Sequence, residues 1–356
     1  MNVAFYAPLK APTHPVPSGD RSMGRALMAA LQAAGCDVTM ASDLRLYDGN
    51  GDAGTQDRLM DAARSEVDRL RTLPTAPAWQ AWITYHNYYK APDLIGPAVA
   101  AALNIPYLQI ESTRASKRLQ GAWARFAQAA EHASDAAHTI LYFTQHDALT
   151  LRRDAPEGQA LVHLPPFLPR ATLPEPSPLT GRMLSVGMMR KGDKLASYTL
   201  IAQTLAALPG TLDWSLDVVG DGEAAADVRR LLAPFGDRIR FHGALDAMPL
   251  SDLYRQASLF LWPGVNEAFG MVYLEAQAAG LPVVAQDRPG VRDVVTGPCP
   301  APEAGPEALA QRLHVLLTDS NARHAASTAA RTGIAQSHLL PHAAATLRHV
   351  IEGLFA

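Results

Sequence analysis

With 356 residues, 48% of them hydrophobic, the chain has enough apolar material for two cores, so two domains of ordinary size are expected. A net charge of −3 excludes the basic footprint of a nucleic-acid binder, and Cys36 and Cys299 match neither a disulfide framework nor paired metal-ligand spacing. No apolar run approaches the roughly 20 residues that span a bilayer, and Met1 to Pro8 reads as a strand rather than a signal peptide, so a cytoplasmic protein is expected.

Short apolar runs over 3–7, 38–41, 82–85, 107–110 and 139–143 alternate with longer amphipathic stretches. The pattern restarts with 183–186, 216–219, 239–242, 259–262 and 282–285. Such alternation predicts an α/β chain of two parallel sheets wrapped by helices. Between the two halves Pro165, Pro166, Pro169, Pro174, Pro176 and Pro178 remove ladder donors, which marks 166–180 as a linker between domains at 1–165 and 181–335. Ligands of open α/β sheets bind beyond the carboxyl ends of the strands, so the site is expected in a cleft between the domains.

The most telling segment is Glu267-Ala-Phe-Gly-Met-Val-Tyr-Leu-Glu275, which continues as Ala-Gln-Ala-Ala-Gly-Leu-Pro-Val-Val-Ala. If wholly helical, the step between the two glutamates covers about 12 Å, the reach from a hexose across a diphosphate to a ribose. The amides of Phe269, Gly270, Met271 and Val272 would lie between them, where a helix start favours an anion. Arg190, Lys191 and Lys194 follow the 183–186 strand and are the candidate cations for a leaving diphosphate, whose growing charge must be met by fixed donors. In the first half, the Pro17-Ser-Gly19-Asp-Arg21-Ser-Met-Gly24 stretch reads as a loop before a helix starting near Ser22. His86 sits at a carboxyl strand end.

At these residues the chain resembles the family 4 retaining glycosyltransferases of the GT-B fold. The likeness extends through Ser185-Val-Gly187, Val219-Gly-Asp-Gly222, Arg240-Phe-His-Gly243 and Tyr254-Arg-Gln-Ala, in the family's order. It implies two Rossmann-like domains facing across a cleft, with residues 336–356 forming a last helix that crosses back to the first domain. It further implies that Glu267 lies beside the transferred sugar, that Glu275 accepts from the ribose hydroxyls, and that Gly187 and Gly19 approach the donor.

An Arg and a Lys of the family hold the diphosphate. Here Met188 stands where the Arg follows Gly187, so Arg190 with Lys194 is favoured and Lys191 competes. Backbone groups at Gly243 to Leu245 are expected to read the base, which leaves its identity open. His86 is expected in the catalytic set. Glu111 occupies a place where many relatives carry His; together with Ser112 it is expected to shape the acceptor pocket, and Arg21 is an acceptor-side cation unless it faces solvent.

The resemblance implies retaining transfer of a sugar from a nucleotide diphosphate sugar to a glycan or lipid-linked hydroxyl acceptor, in cell-envelope or exopolysaccharide synthesis. No metal and no cofactor are called for, and no Asp-x-Asp motif is present. The alternatives are an epimerase or hydrolase of the same fold, or a non-catalytic nucleotide-sugar binding subunit. Residues 114–130 read as one helix with Arg114, Lys117, Arg118 and Arg125 on a face, either a core helix with a solvated side or a contact with the inner face of the membrane.

Overall fold

The structure is a computed structural model that describes residues 1–16 and 18–355. The chain forms two compact units: Met1–Pro165 with Leu340–Ala356, and Pro166–Leu339.

The first unit runs β1 (Asn2–Tyr6), α1 (Gly19–Ala33), β2 (Asp37–Ser42), α2 (Ala53–Arg71), β3 (Ala81–Asn87), α3 (Gly96–Leu103), β4 (Tyr107–Ser112), α4 (Ala124–Ala136), β5 (Thr139–Tyr142), α5 (Gln145–Asp154) and β6 (Ala160–His163). All strands are parallel, in the order β2-β1-β3-β4-β5-β6. Parallel strands covered by helices on both faces are apolar throughout, and β1, β3 and β5 are buried along nearly their whole length. The edge strand β6 is largely uncovered, and so lacks the apolar run by which the others are read from sequence.

Helix α1 begins at Gly19, three residues before the expected start, because the Ser18 hydroxyl caps it by accepting from the Arg21 N–H at 3.2 Å. Gly19 is therefore helical rather than part of a loop, and Pro17 lies outside the described residues.

The single helix expected over 114–130 is not formed. Short 3-10 turns at Ser116–Arg118 and Gly121–Trp123 precede α4, and Gly121 takes φ +78°. Arg114 is buried, paired with Glu131 at 2.8 Å and Asp135 at 2.7 Å, and Arg125 pairs with Asp57. These ion pairs take Arg114 and Arg125 out of the expected basic face.

The second unit runs β7 (Met183–Val186), α6 (Asp193–Ala206), β8 (Leu216–Val219), α7 (Ala225–Leu232), β9 (Ile239–Gly243), α8 (Ala247–Gln256), β10 (Phe260–Leu261), α9 (Met271–Ala278), β11 (Val283–Val284), α10 (Pro289–Arg292), α11 (Gly305–Thr318) and α12 (Ser320–Ser337). Its five parallel strands take the order β11-β10-β7-β8-β9. Their core includes Leu184, Tyr198, Leu216, Phe260, Trp262 and Tyr273.

The last helix, α13 (Leu340–Gly353), packs on α1 of the first unit. Among the described residues no helix is long and apolar enough to cross a membrane.

Both strand orders reverse direction once. In the first sheet the chain departs from β1 toward β2 on one side and toward β3 on the other; in the second it departs from β7 toward β8 and toward β10. A crevice opens at such a switch point, outside the carboxyl ends of the two strands. By this rule the loops after β1 and β3, and those after β7 and β10, are the candidate ligand positions.

Candidate functional site

At the switch point of the second sheet, the loop after β10 is stitched to the first turn of α6 by consecutive pairs. The Asn266 amide donates to Asp193 Oδ2 at 2.8 Å, and Lys194 Nζ forms an ion pair with Glu267 Oε1. The Val265 N–H donates to Ser197 Oγ at 3.1 Å. Trp262 completes the arrangement, its indole N–H donating to the same Glu267 oxygen at 2.9 Å while Lys194 Nζ lies 5.4 Å from the centre of its ring. Glu267 is therefore a fixed anion with a fixed cation beside it. Sequence reasoning did not single out Trp262 for this role, since an apolar strand end gives no sign of an indole N–H turned toward a carboxylate.

Glu267 is not on a helix. Gly270 takes φ +49° and α9 starts only at Met271, so the path from Glu267 to Glu275 is half loop and half helix, not the continuous helix expected. The left-handed turn favours Gly; an added Cβ would lie 2.6 Å from the Tyr273 ring. The N–H groups that open α9, at Met271 and Val272, have no partner within the helix. Phe269, Met271 and Val272 are half-buried against the core of the second unit.

Gly187 ends β7 against Trp262, and a Cβ there would lie 2.5 Å from the ring. Its carbonyl accepts from the Tyr198 hydroxyl at 2.7 Å. Of the three candidate cations, the structure brings only Lys194 to Glu267. Arg190 and Lys191 are exposed in the loop after β7, where the Lys191 N–H donates to Glu223 at 3.3 Å. Gly243, at φ +68°, accepts from the Gly220 N–H at 2.8 Å, which ties together the loops after β8 and β9; Leu245 packs half-buried on the core.

Glu275 stands apart from the ion pair. Its Oε2 accepts from the Tyr254 hydroxyl at 3.1 Å, and it lines a cavity of about 390 Å³ with Leu250, Tyr254, Arg255, Leu168 and Arg170. Burial pushes its carboxyl above the usual range, and the Tyr254 hydrogen bond only partly opposes this.

In the first unit, the switch point assembles Asp20, His86 and Glu111. His86 Nδ1 is 3.1 Å from Asp20 Oδ1 and 3.8 Å from Glu111 Oε2. Both His86 (φ +68°) and Glu111 (φ +58°) hold left-handed backbone, uncommon for residues with a side chain and a feature that clusters at functional sites. Burial would lower the His86 pKa, but the carboxylates of Glu111, Asp20 and Asp147 outweigh it and the pKa is raised. Burial raises Glu111 to about 7 against the opposing charge of His86. Asp20 is lowered: burial acts to raise it, and the hydrogen bond and charge of His86 prevail. Sequence reasoning passed over Asp20, whose only signal was an acid in the first turn of a helix at a carboxyl strand end.

One acceptor-side expectation changes. Ser112 is buried, its hydroxyl 2.9 Å from Ser134 Oγ and 3.3 Å from the Asn87 amide, so it builds the core rather than a pocket wall. Arg21 is half-buried, and its Nε has no hydrogen-bond partner among the described residues. At Gly19 an added Cβ would meet nothing within 4 Å, which leaves that helix start open.

Residues 180–319 match the family described as Glycosyl transferases group 1. Over 107 residues the chain is 39% identical to a D-inositol 3-phosphate glycosyltransferase of Streptomyces bingchenggensis, covering 28% of this chain and 23% of the relative. Over 101 residues it is 35% identical to a GDP-mannose-dependent monoacylated alpha-(1-6)-phosphatidylinositol monomannoside mannosyltransferase of Corynebacterium glutamicum, covering 26% of each. The chain thus spans about a quarter of the length of these curated relatives. Solved structures match it end to end. A sucrose-phosphate synthase from Thermosynechococcus elongatus superposes with a TM-score of 0.73 at 20% identity, covering 99% of both chains. Anabaena HepE in complex with UDP gives 0.73 at 14% identity, covering 99% of this chain and 100% of the other. Residues 180–319 of the second unit are thus similar to the glycosyl transferases group 1, and the fold of the chain is the GT-B fold.

Proposed function

We propose that this protein transfers a sugar, with retention of configuration, from a nucleotide diphosphate sugar to a hydroxyl acceptor. The observation that carries the reading is the Lys194–Glu267 pair, held by Trp262 at the switch point of the second sheet and inside the segment that matches the family. A cation fixed against Glu267, in the loop that leads into α9, meets the charge that builds on a departing diphosphate, and such prepared donors act without reorganising. Glu267 then faces the sugar, and Glu275, kept protonated more readily by its burial, lines the cavity that takes the nucleoside end. In the first unit, His86 orients the incoming hydroxyl while the leaving phosphate takes its proton. Relatives named for lipopolysaccharide core and phosphatidylinositol mannoside synthesis support an envelope glycan as product.

The test begins with thermal unfolding against UDP, GDP and ADP sugars, since a ligand that binds only the folded state raises its melting temperature. The stabilising donor is then incubated with hydroxyl acceptors in excess chelator. Nucleoside diphosphate release with an axial or equatorial product bond matching that of the donor supports the reading. Free sugar formed at the same rate without acceptor, inverted product, or loss of activity in chelator overturns the corresponding part of it.

A further inference from the structure

A row of aromatic rings leads away from the Asp20–His86–Glu111 cluster. The His86 ring centre is 4.9 Å from that of Tyr88, Tyr88 is 5.6 Å from Tyr89, and Tyr89 is 5.8 Å from Trp123. Two cations close the far end: Arg118 lies 5.0 Å from the Tyr89 centre and 5.4 Å from that of Trp123, and Lys90 Nζ lies 5.8 Å and 5.4 Å from the same two rings. Every member lies at or beyond the carboxyl end of β3 or β4, the side on which an open parallel sheet receives ligands.

The row is built, not incidental. The Trp123 indole N–H donates to the Asp48 carbonyl at 3.3 Å, and Tyr88 is bridged to Ala91. Gly51, at φ +72°, lets this segment approach so closely that a Cβ there would lie 2.7 Å from Ala122. The cations are also distinctive. Arg114 and Arg125 in the same segment are ion-paired, whereas among the described residues neither Lys90 nor Arg118 has a carboxylate within ion-pair distance. Their charge is held in place by rings, and remains available to an anion.

We propose that this row is an extended acceptor subsite and that it takes an anionic glycan. The hydroxyl to be glycosylated lies at His86, successive sugar rings lie along Tyr88, Tyr89 and Trp123, and a carboxylate or phosphate substituent pairs with Lys90 and Arg118. The assignment rests on the glycosyl-transfer reading for the word acceptor. Flat ring faces suit the C–H faces of sugars, and a guanidinium suits a carboxylate or phosphate. A bilayer surface is the poorer fit, because Leu119 is the only large hydrophobic side chain exposed between residues 114 and 123; insertion into lipid needs more apolar area than one half-exposed leucine.

The test titrates the full chain, without donor, with tetragalacturonate, a phosphorylated mannotetraose, their neutral counterparts galactotetraose and mannotetraose, and phosphatidylcholine vesicles with and without phosphatidylglycerol. At least one charged tetramer is expected to bind roughly tenfold more tightly than its neutral counterpart, and the Lys90→Gln, Arg118→Gln double variant to lose that preference. Whichever charged tetramer binds identifies the substituent. Arg118 is exposed and Lys90 half-buried, and thermal unfolding verifies that the double variant folds. Equal affinity for charged and neutral tetramers, an unchanged preference in the double variant, or binding confined to anionic vesicles overturns the proposal. If the charged tetramer binds through these residues but no donor is turned over, the transfer reading fails and the anionic glycan site stands.

Discussion

The two units place their charged clusters at the same topological position and resolve the charge in opposite ways. In the second unit one carboxylate, Glu267, meets one cation, Lys194, and an indole N–H, so the charge is balanced before any ligand arrives. In the first unit, Asp20, Glu111 and Asp147 act on a single His86 and together raise its pKa, while burial raises that of Glu111. One cluster is a fixed electrostatic frame, as the proposed transfer asks of a diphosphate site. The other is a titrating group, suited to a hydroxyl whose proton is moved. Fold alone does not make this difference, because both sheets are parallel and switch once; the side chains at the strand ends make it.

The strongest way to break the comparison is to replace each acid by its amide. Glu267→Gln is expected to reduce turnover by roughly 100-fold or more, the scale of removing one prepared polar group from a reacting centre. Glu111→Gln is expected to reduce it far less at neutral pH, because Glu111, at about 7, is already protonated in about half of the molecules there. Steady-state rates at saturating donor decide this, and equal losses in the two variants would remove the distinction between frame and titrating group.

A second experiment sharpens the titrating half. Glu111 rises from 4.5 to about 7 on folding, so the folded state holds its proton more tightly than the unfolded chain. Its contribution to stability is complete below pH 4.5 and is lost as pH climbs through about 7. His86, also raised, acts in the same direction, while Asp20, lowered from 3.8, contributes above that value and is lost as pH falls. The wild type should therefore lose on the order of 3 kcal/mol, relative to Glu111→Gln, between about pH 5 and about pH 8. Urea denaturation of both proteins at the two pH values measures this, and a difference independent of pH would show that Glu111 does not titrate in this range.

The smallest effect tests the nucleoside end. Tyr254→Phe removes the hydroxyl that donates to the buried Glu275 and is expected to cost about 1 kcal/mol of stability. It should also weaken nucleoside diphosphate binding, because Glu275 is then free to turn from the cavity. Unchanged values for both quantities would place Glu275 outside the binding surface.

Much of this fold is legible in the sequence because buried parallel strands write themselves as short, mostly apolar runs, as Met183–Val186 and Thr139–Tyr142 do. The glutamates 267 and 275 were legible from their spacing and neighbours. Their geometry was not: the left-handed Gly270 shortens the helix and moves Glu267 into a loop, and one Gly among helix-forming residues gives no warning of its φ. The 114–130 segment misleads for a related reason. Its charges recur at helical spacing, yet Gly121 breaks the helix and Arg114 is drawn inward by Glu131 and Asp135, which lie beyond the window in which periodicity is read. The Asp20–His86–Glu111 cluster escapes any local pattern, since only the order of strands in the sheet brings residues 20, 86 and 111 together.

The packing of α13 on α1, with Arg348 donating to the Ala33 carbonyl at 3.0 Å, means that the unit whose synthesis starts first is also the one finished last. A nascent chain emerging from the ribosome carries an incomplete amino-terminal half, with α1 awaiting α13, throughout translation of everything in between. Fragments ending near Pro165 should consequently be prone to self-association, and appending Leu340–Gly353 to them should restore solubility.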